Sequence, residues 1–453
     1  MSGPFFPIWR RVDRARDHQI VAPDERLSWP QTAVMGAQHV VAMFGATVLA
    51  PLLMGFDANL AVLMSGIGTL IFFFFVAGRV PSYLGSSFAF IGGVISVTGY
   101  SGSGFNANIG VALGAIIICG LVYALVGVIV WFANSRGNGS AWIERLMPPV
   151  VTGAIVAVIG LNLAPIAAKG AMGSGTTFEA LMALMTILCV AGVAVFTRGM
   201  IQRLLILLGL IAACVVYWLL TNVAGLGTPI DFSGVQAAAW FGLPTLATPV
   251  FSLSAITIMV PVAVILIAEN LGHIRAVSAM TGQNLDQYLG RAFVGDGVAT
   301  MISGAVGGTG VTTYAENIGV MAVTRIYSTL VFVAAACIAI VLGFSPKFGA
   351  LIHAIPGPVL GGVSMVVFGL IAIAGARIWV VNQVDFGDNR NLIVAAVTLL
   401  MGAGNFTLQF GAFKLEGIGT ATFGAIILYA LLNLRQQRRT QPDQSPFDQE
   451  TNS

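Results

Sequence analysis

Apolar residues fill long stretches of this chain, separated by short polar connections. Runs of about 20 apolar residues, the length a helix needs to cross a bilayer, lie near 30-53, 58-78, 108-133, 148-167, 179-197, 203-224, 254-273, 291-304, 325-344, 356-375, 390-408 and 415-434. Two further segments, 85-96 and 311-321, are apolar but short and rich in Gly, Ser and Thr. They read as broken crossings, because irregular backbone is tolerated inside a membrane where it lines a cavity. The pattern predicts an all-α polytopic membrane protein of 14 transmembrane segments, with extended strands in the two broken ones.

Charge tests that count, because each added or omitted crossing inverts the side of every later loop. With fourteen crossings, Arg79, Arg136, Arg145, Arg198, Arg203, Arg275, Arg291, Arg325, Arg377 and Arg390 share one side with both basic tails, leaving only Lys169, Lys347 and Lys414 opposite. That side is the cytoplasm, and the net charge of +3 reflects topology, so no nucleic acid partner is implied. Of the 453 residues 57% are hydrophobic and 9% charged, which excludes a soluble surface. The opening segment through Pro30 carries Arg10, Arg11, Arg14, Arg16 and Arg26 and lacks the apolar core of a signal peptide, so it reads as a cytoplasmic tail. Cys119, Cys189, Cys214 and Cys337 show no ligand-type spacing, so neither disulfides nor a metal site is indicated.

The two halves repeat. Pro149–Leu161 matches Pro358–Leu370 at the proline, a valine, a glycine, a later valine and the closing Gly-Leu, and Ser86-Ser-Phe-Ala89 matches Thr312-Thr-Tyr-Ala315 in character. A repeat of seven crossings is odd, so its copies have opposite orientations: two inverted repeats, the architecture of secondary transporters with a site near the midplane.

Polar chemistry gathers at that depth. Glu269 and His273 are four residues apart and share one helix face. Glu316 and Asn317 follow the second broken crossing, and Gln38 and His39 lie in the first helix. Carboxylates in apolar stretches are costly and mark functional sites. A structural alternative attaches to each: Glu269 pairing with His273, Glu316 capping a helix that begins near Gly319, His39 and Asp296 serving as packing or interhelical hydrogen-bonding groups.

The strings Gln38–Val48, Tyr83–Phe90, Ala268–His273 and Glu316–Arg325 resemble the nucleobase–ascorbate transporter family (nucleobase:cation symporter-2), from about residue 22 to 434, and within it the uracil permeases most. The resemblance implies a core domain (30-140 and 250-345) that holds the base, a gate domain (147-225 and 355-434), and cytoplasmic tails at 1-29 and 435-453. It implies that Glu269 and Glu316 contact the ligand, that Phe88 and Ala315 do so through their backbones, and that Ala46 and Tyr314 flank the pocket. His273 then matches a histidine linked to proton coupling, with Glu316 and Glu269 the other coupling groups, while His39, Gln38, Asn317 and Asp296 are structural polar residues. Two positions depart from the uracil permease pattern: Asn270 in place of a histidine, and Asp296 in place of an asparagine.

Uracil chemistry suits such a site. A carboxylate accepts from ring N–H, a protonated carboxyl donates to C=O, and two facing carboxylates at low dielectric should not both stay charged, which links proton to substrate. The expectation is a proton-coupled symporter importing a pyrimidine (uracil, thymine as a second candidate) across the bacterial inner membrane by alternating access, with no cofactor beyond the proton, as a lipid-embedded homodimer. The alternatives are a purine (xanthine or urate) permease of the same family, and an anion transporter or channel of similar fold, which calls for a basic residue near the broken crossings that the sequence does not place there. An intramembrane enzyme is disfavoured, because no nucleophile motif or metal-ligand set accompanies the glutamates.

Overall fold

A computed structural model gives the protein's architecture over residues 5–12, 20–100, 104–135, 141–173, 175–410 and 413–439. Arg14, Arg16, Arg136 and the chain after Arg439 lie outside these described residues. The twelve long apolar runs are helical: Trp29–Met54, Ala58–Phe75, Ile109–Ser135, Pro149–Met172, Thr177–Phe196, Leu205–Trp218, Leu253–Met259 continued by Val262–Thr281, Leu289–Val306, Thr329–Gly343, Gly357–Val381, Asn389–Ala403 and Gly417–Arg439. Prolines open three of them, where a missing N–H costs nothing. Asp57 caps the second by accepting from the N–H groups of Asn59 and Leu60 at 2.8 and 3.2 Å.

Among the described residues, eight helices are long and apolar enough to cross a membrane by themselves, and a ninth arises if Thr329–Gly343 and Pro346–His353, bent by 80°, are one span. Fourteen crossings would need the shorter helices to cross as well. The two segments expected to be broken are so: Leu84–Ser86 and Val311–Thr313 are strands, each running into a ten-residue helix, Ala89–Thr98 and Ala315–Thr324. The strands pair antiparallel, Leu84 opposite Thr313 and Ser86 opposite Val311.

The helices pack in two groups. In one, Leu289–Val306 lies along Ile109–Ser135, and Thr329–Gly343 along Ala58–Phe75 and Trp29–Met54; in the other, Gly357–Val381 lies along Pro149–Met172, and Asn389–Ala403 along Gly417–Arg439. Small residues let these backbones approach. A Cβ on Gly297 would stand 2.6 Å from the backbone N of Ala124, and one on Gly160 2.6 Å from that of Ala372.

Three features were not anticipated. The opening segment is folded: strands Arg10–Arg11 and Glu25–Arg26 pair, Val21 exchanges backbone hydrogen bonds with Arg325 and Tyr327, and Trp9 Nε1 donates to Thr329 Oγ1 at 2.9 Å. Its apolar residues Val21 and Leu27 pack against Ile326 and Val331, so the residues that read as a plain tail are partly docked. The helix Pro346–His353 and the short ribbon Leu408–Phe410 with Phe413–Leu415 also escaped the hydropathy pattern.

Candidate functional site

The two-stranded ribbon is the centre of the site, and its edges explain how it survives in an apolar surround. Backbone bonds join the strands at alternate positions, for example Tyr314 N to Tyr83 O and Ser87 N to Gly310 O. The groups between face outward and need other partners, since an unmade hydrogen bond is costly inside a membrane. Thr69 Oγ1, from the helix Ala58–Phe75, accepts from Leu84 N at 2.9 Å. Thr300 Oγ1, from Leu289–Val306, accepts from Val311 N at 3.2 Å and donates to Val311 O at 3.0 Å. The phenol of Tyr314 donates to Ser86 O at 2.7 Å. Gly85 has to be glycine, since a Cβ there would meet the Tyr314 ring and stand 2.6 Å from Thr47 Oγ1.

Phe88 and Ala315 stand where strand gives way to helix, so the positive dipole ends of two helices flank the ribbon. His273 reaches it through its Nδ1, 2.9 Å from Thr313 Oγ1. Glu269, one turn before His273, is close enough to Glu316 for the two carboxylates to interact electrostatically. No ion pair between Glu269 and His273 is present among the described residues; the imidazole faces Thr313 instead. Glu316 is not a cap either, because its helix begins at Ala315 and the carboxylate sits in the first turn. Glu269, Glu316, His273 and Phe88 keep part of their surface accessible, Ala315 is exposed, and Ala46 and Tyr314 are buried.

The remaining polar residues divide between two clusters. Asn317 Nδ2 lies 3.0 Å from both the carbonyl and Nδ1 of His39, whose ring packs 4.6 Å from Phe332, so this pair ties the first helix to the helix Ala315–Thr324. Gln38 points elsewhere, donating to Met200 Sδ. Asp296, wholly buried, accepts at Oδ2 from Asn270 Nδ2 at 2.6 Å and from Tyr123 Oη at 3.4 Å; Asn270 Nδ2 also lies 2.8 Å from Tyr123 Oη. The two departures from the uracil permease pattern thus touch each other directly behind Glu269. Tyr123 is a member of this cluster that sequence reading missed, since an isolated tyrosine in an apolar run carries no signal. Arg203 was placed only as a topology marker, yet its Nη1 lies 3.5 Å from where a Cβ on Gly319 would stand, beside the helix that carries Glu316.

A ribbon closing between two half-length helices, inside a bundle of membrane-length helices, defines a polytopic transporter fold. The structure resembles SLC26A9 with a TM-score of 0.65 at 12% identity, covering 90% of this chain and 65% of that one. It resembles the transmembrane domain of the cyanobacterial bicarbonate transporter BicA with a TM-score of 0.61 at 16% identity, covering 88% and 96%. At such identities the likeness is one of fold alone. In sequence, residues 30–410 match the model of a family described as "Permease family". The chain is 66% identical over 428 residues to the Escherichia coli K12 protein named "Putative pyrimidine permease RutG" (94% of this chain, 95% of that one), and 40% identical over 420 residues to the uracil permease of Bacillus caldolyticus (90% and 93%). It therefore belongs to the nucleobase–ascorbate transporter family and is an integral membrane permease, not an enzyme.

Proposed function

We propose that the protein is a proton-coupled symporter that imports a pyrimidine nucleobase, uracil before thymine, across the bacterial inner membrane by alternating access. The observation that carries the reading is the bond of His273 to the ribbon at Thr313, with Glu269 one turn before it on the same helix and Glu316 in the first turn of the helix that follows the second strand. A planar imide needs acceptors for its N–H groups and donors for its carbonyls along one edge; a carboxylate and a protonated carboxyl together supply both, with the positive ends of two helices beside them. Glu269 is the main recognition carboxylate, Glu316 the group whose protonation completes the site from outside, His273 the relay beside them, and Phe88 and Ala315 the backbone contacts. Asp296 and Asn317 hold the surroundings. In this scheme the chain crosses the membrane fourteen times as two inverted repeats of seven, with both termini cytoplasmic. The first helix group with the ribbon forms the moving core, the second the gate, and the protein works as a homodimer. The separate packing of the two helix groups supports the division.

The test is uptake of radiolabelled uracil into proteoliposomes with and without an inward proton gradient, with Glu269→Gln as the inactive control. Gradient-driven accumulation lost in that variant is expected, with Glu316→Gln keeping uracil binding better than accumulation. Equal loss of both in Glu316→Gln would refute the division of roles, and stronger competition by xanthine than by unlabelled uracil would assign the substrate to purines.

A further inference from the structure

A cavity of about 320 Å³ lies between the helix Ala89–Thr98 and the second helix group. It begins at Ala89, next to Phe88, and at Val262, and ends among Ser96, Asn162, Asn405 and Glu416. Val262 precedes Glu269 by two helical turns, about 10 Å at 1.5 Å per residue, so the cavity leads away from the ribbon along Ala89–Thr98. Its far end is lined by polar groups of defined direction. The Glu416 carboxylate accepts from the Ser96 hydroxyl across the two helix groups. Asn162 uses its amide N–H on Gly402 O at 2.8 Å, which leaves its Oδ1 turned to Gly92 of the facing helix; Asn405 uses its Oδ1 on Gly417 N at 3.0 Å, which leaves its amide as a donor. Between them, Ile258 and Ile418 provide apolar walls. Asn405 follows the end of the helix Asn389–Ala403 opposite Arg390, so this end of the cavity is extracellular by the distribution of basic residues.

We infer that this cavity is an outer vestibule that binds the nucleobase before it reaches the ribbon, with Glu416 as its recognition group. The inference rests on the reading of the protein as a nucleobase importer. Its volume falls at the lower end of the range of about 300–1,000 Å³ that small-molecule sites occupy. The carboxylate accepts a ring N–H, the Asn405 amide donates to the neighbouring carbonyl, Asn162 Oδ1 accepts the next N–H, and the isoleucines cover the ring faces. The Ser96 hydroxyl holds the carboxylate when the vestibule is empty, and an arriving base displaces it. The Ser96–Glu416 bond also joins the two helix groups, so its exchange for a ligand frees one group from the other as the base enters.

Uracil uptake by intact cells reads the outer face, and uptake by inside-out vesicles reads the inner one. Glu416→Gln is expected to raise the outer KM about tenfold, the scale of losing a hydrogen bond to a charged group, and to leave the inner KM where it was. Ser96→Ala removes one competitor for the carboxylate and is expected to lower the outer KM about two- to threefold. A structural brace would move both variants in the same direction and on both faces, and that result overturns the inference. So does an unchanged outer KM in transporting Glu416→Gln protein; if that variant does not fold, Ser96→Ala alone decides by the sign of its shift. Absence of uracil uptake by the wild-type protein would instead sink the proposed function, and the vestibule with it.

Discussion

The two threonines that hold the ribbon's edges allow a graded prediction. Valine has nearly the shape of threonine, so Thr69→Val and Thr300→Val remove a hydroxyl each with little change in packing. In Thr69→Val the buried Leu84 N–H loses its acceptor at 2.9 Å. The second bond lost there, from Thr69 to Ser65 O at 2.7 Å, matters less, because that carbonyl already serves the helix. An orphaned buried donor costs about 1–3 kcal/mol. In Thr300→Val both the N–H and the C=O of Val311 lose their partner, at 3.2 and 3.0 Å, so two groups are orphaned and the cost is roughly double, about 2–6 kcal/mol. The assay is the uracil Kd of purified protein together with thermal inactivation at one fixed heating rate, since membrane proteins of this size unfold irreversibly. Both variants should lose stability and affinity, Thr300→Val clearly more. Thr69→Val matching or exceeding Thr300→Val, or both behaving as wild type, would refute the view that these hydroxyls hold the ribbon.

Other outcomes follow from particular contacts. Gly160→Val forces side-chain atoms into the backbone of Gly357–Val381, and overpacking of this kind costs about 1–3 kcal/mol or more; the expected result is a large loss of folded protein by fluorescence-detected size exclusion, while Gly192→Val, where a Cβ meets nothing within 4 Å, expresses normally. Val21→Asp places an unpaired charge among Leu27, Ile326 and Val331, so the opening segment should release from the bundle and become cleavable by protease. Asp388 caps the helix Asn389–Ala403, and its hydrogen bonds from Arg390 hold its carboxyl below the ordinary Asp value of 3.8. A lowered value in the folded state means a stabilisation present above the unfolded pKa and lost as pH falls through the folded one. The difference in thermal stability between wild type and Asp388→Asn should therefore hold from neutral pH down to about pH 4 and vanish below.

Behind the site, the contact between Asn270 and Asp296 has the form of an exchange: the position that would carry a histidine bears an amide, and the position that would carry an amide bears a carboxylate. Each departure looks like a separate anomaly when read along the chain. The 2.6 Å bond between them joins the two positions in one buried cluster, with Tyr123 as the third member.

The sequence by itself determined the twelve long helices, because apolar length is a local property and a bilayer leaves the backbone few alternatives. It also located both strands of the ribbon within a residue or two, through two Gly/Ser/Thr-rich segments too short to cross as helices, and it singled out Glu269, His273 and Glu316 as polar groups out of place. Only the tertiary structure decided which groups meet. Residues 84–86 and 311–313 are over 220 positions apart, and their pairing depends on where Thr69 and Thr300 stand on other helices. The same holds for Arg203 beside Gly319, the docking of Val21 on Ile326, and the bond from Ser96 to Glu416. Hydropathy reports how each segment meets lipid; the partners of a buried hydroxyl, amide or carboxylate are set by helix rotation and depth, which no window along the chain contains.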